Sequence, residues 1–231
     1  DFGIFLPVLG EAVNWKDAVS IKITIYRVGK GHVKLMNYLI LAAELGKEVT
    51  VLLELKARFD EQNNMDWVDS LRDAGVHILY GFEGYKVHAK LCLITERREG
   101  KIKYITYVGT GNFNAKTAHL YTDFALMTAD DAIGRDASMF FRNMGISNLR
   151  GSYEKFLVAP SSLKLGLLHL IDGEIAKAER GEPCGIRLKM NSITDRQLID
   201  ALQRAGTAGV RIDMVVRGIC CLVPGIPGLT E

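Results

Sequence analysis

Apolar residues along this chain change period repeatedly. Short unbroken runs alternate with stretches in which they recur every three or four positions. The runs at 21–28, 49–55, 76–80, 87–95, 102–108 and 122–128 predict strands. Helical spacing predicts a helix over 33–45 that stops at Gly46, and another leading from an Asn63 cap through Val68 and Leu71 to Gly75. Further helices are predicted over 131–144 and 162–178, and the apolar start, 2–10, reads as a packed edge segment or helix lead-in. Strand and helix alternating in this way predict an α/β sandwich with a largely parallel or mixed sheet.

The pattern then repeats. Residues 23–28 align without a gap on 186–191 at an offset of 163, and the same offset sets 46–54 on 209–217. Both segments read as strand, helix, glycine, strand, and the second carries a capping-box signal, Thr194 with Gln197 three residues on. The expected organisation is a first, complete domain over 1–155 and the beginning of a second, duplicated one over 156–231. The counterpart of residues 88–90 would fall beyond residue 231, so a fragment is expected.

Composition narrows the chemistry only by exclusion. With 29 Lys and Arg against 27 Asp and Glu the net charge is +2, too small for a general nucleic-acid partner, so anion binding must come from local clusters. Cys92, Cys184, Cys220 and Cys221 lack zinc-ribbon spacing and are expected as buried free thiols, with no disulfide framework and no structural metal. No stretch is long and apolar enough to span a bilayer.

Two stretches carry chemistry. In the strand predicted at 87–95, alternation would put Lys86, His88 and Lys90 on one face and Val87, Ala89 and Leu91 toward a core. A neutral imidazole can attack phosphorus, and flanking cations both favour that neutral form and hold phosphate oxygens. The second stretch, Gly109-Thr110-Gly111-Asn112, follows a strand. Its glycines let backbone N–H groups approach an anion, with Thr110 and Asn112 adding side-chain donors. Each motif alone also fits a core histidine or a plain turn; together they point to phosphoryl transfer on histidine.

The duplicated unit with its His-x-Lys and Gly-Thr-x-Asn motifs resembles the phospholipase D superfamily, apart from Thr95 standing where that superfamily usually has an acid. A closer resemblance, running from about residue 21 to 231, is to the catalytic C-terminal region of the bacterial polyphosphate kinase family. It rests on residues 23–28, 54–61, 86–90, 109–114, 120–123 and 216–220. The resemblance implies a phospholipase D-like α/β sandwich with a mixed sheet, one complete half joined to the start of a second. It also implies reversible transfer of the γ-phosphate of ATP to inorganic polyphosphate, through a phosphohistidine and with Mg2+. His88 would be the nucleophile. Lys90, Thr110 and Asn112 would hold phosphate oxygens, Tyr121 and Arg217 would serve the nucleotide phosphates, and Arg27 and Arg58 would form the magnesium-phosphate site. His119 stands where the family usually has Arg.

The implied partners are ATP, ADP and polyphosphate, with no nucleic acid, in a cytoplasmic protein whose longer parent can sit peripherally at the inner membrane. Sheet edges left open by an incomplete half predict a homo-oligomer. Two other readings stay open at this point: a phospholipase D-type phosphodiesterase or phosphatidyl transferase, and a non-catalytic polyanion-binding module.

Overall fold

The computed structural model describes residues 2–26, 33–54, 61–82, 84–228 and 230, and for residues 61–66 the backbone alone. In chain order the elements are α1 (Phe2–Asn14), β1 (Ala18–Ile25), α2 (Val33–Glu44), β2 (Glu48–Leu53), α3 (Glu61–Asp73), β3 (His77–Tyr80), β4 (Lys90–Arg98) and β5 (Lys101–Gly109). Then come α4 (Ala115–Leu120), β6 (Ala125–Thr128), α5 (Asp131–Gly145), α6 (Leu163–Glu179), β7 (Ile186–Met190), α7 (Arg196–Thr207) and β8 (Ile212–Val216). The chain divides into two compact units, Asp1–Phe156 and Leu157–Glu231.

In the first unit six strands form one mixed sheet in the order β3-β2-β1-β4-β5-β6. β3, β2 and β1 run parallel, while β1, β4, β5 and β6 pair antiparallel. Helices cover both faces. Ile21, Ile23, Val49, Val51, Cys92 and Ile94 bury one face with residues of α1, α2 and α3, and α5 packs on the other against β4 and β5. That double cover explains why the central strands read as continuous apolar runs.

Several boundaries differ from those expected. The apolar start is a full helix, α1, whose buried Phe2, Phe5, Leu9, Ala12 and Val13 lie along one stripe even though Pro7 sits inside it. β1 starts and ends three residues early. α3 begins at Glu61, so Asn63 lies within its first turn instead of capping it. The 122–128 run gives only the short β6, preceded by α4, whose N-cap Asn114 accepts the Thr117 N–H at 3.1 Å. Most important, β4 starts at Lys90: Lys86 to Ala89 lie outside the ladder, Ala89 is exposed, and Lys90 is buried beside Leu91. Simple alternation fails there because β4 is covered on both faces.

The second unit holds α6, α7 and a two-stranded parallel sheet of β7 and β8 around Ile171, Ile193, Ala201, Leu202, Ala205 and Val210. The repeat is visible in it. α7 spans the residues of α2 at the offset of 163, and Gly46 and Gly209, at φ +84 and +89, each turn the chain out of its helix. The paired registers differ by two residues: Ile25 lies opposite Leu53, while Met190 lies opposite Val216. The cap of α7 is Asp195, accepting the Leu198 N–H at 3.1 Å, in place of the expected Thr194. All four cysteines are free, but only Cys92 is buried.

Phe5 joins α1 to the sheet and to the glycine loop, with ring centroids 5.0 Å from Tyr107 and 4.5 Å from Phe113. Phe5→Ala is expected to lower unfolding stability by about 3–5 kcal/mol. Ile4→Ala, on the exposed side of the same helix, should change it by less than about 0.5 kcal/mol. Urea unfolding followed by circular dichroism measures both.

Candidate active site

The mixed topology collects one set of strand ends at a single edge of the sheet. β1 and β2 finish there, β4 starts there, and β5 returns there antiparallel, so that Lys90 lies directly opposite Gly109 and Gly109 opposite Ala125. Tyr26, Glu54, His88, Lys90 and the loop 109–112 follow immediately from those ends. Open α/β sheets bind ligands at such an edge.

The approach to His88 is held by two buried side chains. Thr24, 2% exposed, donates from Oγ1 to the Ala89 carbonyl at 2.8 Å and accepts the Leu91 N–H at 3.0 Å, bridging the two residues on either side of Lys90. Glu54, 4% exposed, accepts the Val87 N–H on Oε2 at 2.9 Å. Val87 itself is buried, and His88 emerges at an accessible rim.

The His88 imidazole packs against Tyr26 with ring centroids 5.2 Å apart and planes at 73°. Burial of the ring, then the charges of Lys90 and Lys86, hold its pKa below the ordinary histidine value. That direction favours the neutral, nucleophilic form. Lys90 donates from Nζ to the His88 carbonyl and stands 5.3 Å from the Tyr26 ring centroid. Burial brings its pKa down to about 8, against the opposing pull of the Asp123 carboxylate.

The glycine loop is pinned at both ends. Gly109 closes β5, and Phe113 is buried between Phe5 and Tyr107. Gly111 is required where it stands, because a Cβ there would lie 2.3 Å from Asp123 Oδ2. Thr110 Oγ1 donates to Asp123 Oδ1 at 2.8 Å and accepts the Phe124 N–H at 3.0 Å, so its hydroxyl is engaged within the loop and not open toward a ligand. Asn112 Oδ1 is buried with no hydrogen-bond partner among the described residues. A buried acceptor without a partner calls for a donor, such as an ordered water, to meet it.

Tyr121 follows α4 and is 43% exposed, and His119 lies exposed in the last turn of that helix. Arg217 belongs to the second unit, where it follows β8 with an exposed side chain and its N–H on the Met190 carbonyl at 3.1 Å. Arg27 and Arg58 lie outside the described residues. Sequence reasoning gave no role to Thr24, Tyr26, Glu54 or Asp123. The signals were a polar residue inside each of two apolar strand runs, and Asp123 in the Tyr-Thr-Asp triplet.

The comparison with known proteins bears directly on this arrangement. The family model described as polyphosphate kinase C-terminal domain 1 matches residues 1–149, and that for C-terminal domain 2 matches residues 156–231. The chain belongs to the polyphosphate kinase family. Its sequence is 46% identical over 221 residues to the polyphosphate kinase of Mycolicibacterium gilvum, covering 96% of this chain and 30% of that protein. It is 43% identical over 230 residues to the Staphylococcus haemolyticus enzyme, covering 100% and 32%. The crystal structure of the polyphosphate kinase from Porphyromonas gingivalis superposes with a TM-score of 0.88 at 39% identity, covering 99% of this chain and 38% of that one. The chain thus spans under a third of the length of these curated relatives, and the mixed α/β fold is the family's.

Since the Asp123 carboxylate supports the charge on Lys90, Asp123→Asn keeps an acceptor for Thr110 but removes that support. The Lys90 pKa is expected to fall further below about 8, leaving a larger neutral fraction at pH 8. Competitive acetylation with peptide mass spectrometry should show faster labelling of Lys90 in the variant; equal labelling would contradict the electrostatic assignment.

Proposed function

We propose that these residues form the catalytic region of a polyphosphate kinase, which transfers the γ-phosphate of ATP reversibly to inorganic polyphosphate through a phosphohistidine at His88. The observation that carries this reading is the meeting, at one sheet edge, of an accessible imidazole whose pKa is held low, the Lys90 ammonium opposite Gly109, and a pinned glycine loop ending at Asn112, whose side-chain amide N–H groups can donate to an anion.

In the forward direction a His88 ring nitrogen attacks the γ-phosphorus. A nitrogen–phosphorus bond forms, the bond to the β,γ-bridging oxygen breaks, and ADP leaves with that electron pair. A terminal phosphate oxygen of polyphosphate then takes the phosphoryl group, and neutral His88 returns. Phosphoryl transfer depends chiefly on positioning and on stabilising charge on the equatorial oxygens. Lys90, the backbone amides of Gly111 and Asn112 and the Asn112 side-chain amide N–H groups meet that need, and Tyr121 and Arg217 are assigned to the nucleotide phosphates by their places in the family motifs.

Magnesium belongs to the substrate in this reading. Among the described residues no group of three or more His, Cys, Asp or Glu could hold a metal ion, and guanidinium groups such as Arg27 and Arg58 carry no lone pair for one. We assign the ion to the ATP phosphates, its usual ligands in kinases. Among the described residues no helix is long and apolar enough to cross a membrane.

Incubating the intact protein with γ-labelled ATP and magnesium should give an acid-labile, base-stable label that is lost in His88→Ala. No label in the wild type would refute the phosphohistidine reading and direct attention to phosphodiester substrates.

The rate of label formation should also depend on pH with a definite sign. Lys90 must be protonated to hold phosphate, and its pKa is lowered to about 8, so the rate should fall as pH rises through that value. In Lys90→Arg the guanidinium stays charged; a lower maximal rate is expected, with the alkaline fall displaced upward. An unchanged alkaline limb would assign it to another group.

A further inference from the structure

We propose that Tyr26 is a positioning residue for phosphoryl transfer: its ring is the surface that sets the plane of the His88 imidazole and holds the Lys90 ammonium beside it. The proposal rests on the reading of His88 as the group that carries the phosphoryl. Among the described residues neither imidazole nitrogen has a hydrogen-bond partner, which keeps both available but leaves the ring's orientation to packing. The described contact that supplies this packing is the Tyr26 ring, at 5.2 Å and 73°. The same ring receives Lys90 Nζ at 5.3 Å from its centroid, a distance at which an aromatic face attracts a cation.

The contact is built on fixed parts. Tyr26 lies two residues beyond Thr24, whose hydroxyl ties β1 to Ala89 and Leu91 on either side of Lys90. It follows Ile25, whose carbonyl accepts the Glu54 N–H at 3.0 Å, and Glu54 in turn holds the Val87 N–H at 2.9 Å. Ring and imidazole therefore sit on two segments stapled together on both sides. A nucleophile with no hydrogen bond to orient it needs such a wall, because misorientation directly reduces the share of reactive encounters.

The test uses the intact protein with Tyr26→Leu and Tyr26→Phe. Tyr26→Leu should slow single-turnover phosphohistidine formation about tenfold or more, with the half-saturating ATP concentration within about twofold of wild type, while Tyr26→Phe keeps the wild-type rate. Modification of His88 by diethyl pyrocarbonate at pH 7.5, followed by peptide mass spectrometry, should become several-fold faster in Tyr26→Leu and stay unchanged in Tyr26→Phe. The proposal is overturned if Tyr26→Leu matches wild type in both measurements. It is equally overturned if Tyr26→Phe is as slow as Tyr26→Leu, which would give the role to the hydroxyl. Absence of phosphohistidine in the wild type would remove the reading of His88, and the His88 modification rates would then decide the positioning role alone.

Discussion

Where β4 begins, Thr24 Oγ1 does the work of backbone pairing. It accepts from Leu91 and donates to Ala89, so the chain entering β4 is fastened to β1 without being part of the ladder. Everything at the site depends on that departure. Lys86 to Ala89 can follow a path that buries Val87 and exposes His88, which a continuous strand under two helix layers would not allow. From Lys90 to Ile94 the strand is then buried without a break.

The fold therefore makes one lysine costly and one histidine cheap. Taking the Lys90 side chain out of water disfavours its charge, and that cost is offset by the His88 carbonyl, the Tyr26 face and Asp123. Partial burial acts on His88 in the direction that transfer chemistry needs, since it disfavours the imidazolium. The loop opposite is rigid for a separate reason. Aromatic packing of Phe113 with Phe5 and Tyr107 and the Asn114 cap hold one side of the Gly111–Asn112 turn, and the Thr110 N–H on the Phe124 carbonyl holds the other.

Much of this was legible in the sequence, and the failures have physical causes. The strands β1, β2, β4 and β5 were visible because apolar runs dominate their composition, and of the motifs behind the family resemblance the first unit brings 86–90 and 109–112 to one sheet edge. The face assignment of Lys86, His88 and Lys90 failed because period-two alternation assumes one buried face, whereas Lys90 to Ile94 are buried without a break. Thr110 looked like a ligand donor and instead spends its hydroxyl on Asp123, a partner thirteen residues away that no local pattern indicates. α4 was missed because six residues are too few to show a helical period, although its Asn114 cap was there to be read. Tyr26 escaped notice because its importance is a matter of what stands across from it.

The two β-α-β units set unlike charges at the first step beyond a strand. In the first, Glu54 follows β2 and its N–H reaches the carbonyl of Ile25; in the second, Arg217 follows β8 and its N–H reaches the carbonyl of Met190. Each bond extends its own strand pair by one residue, although the two pairs lie two residues apart at the common offset. At that step the first unit carries an inward carboxylate and the second an exposed guanidinium. A main-chain bond that asks for no particular side chain leaves the first position beyond a strand open to either sign of charge.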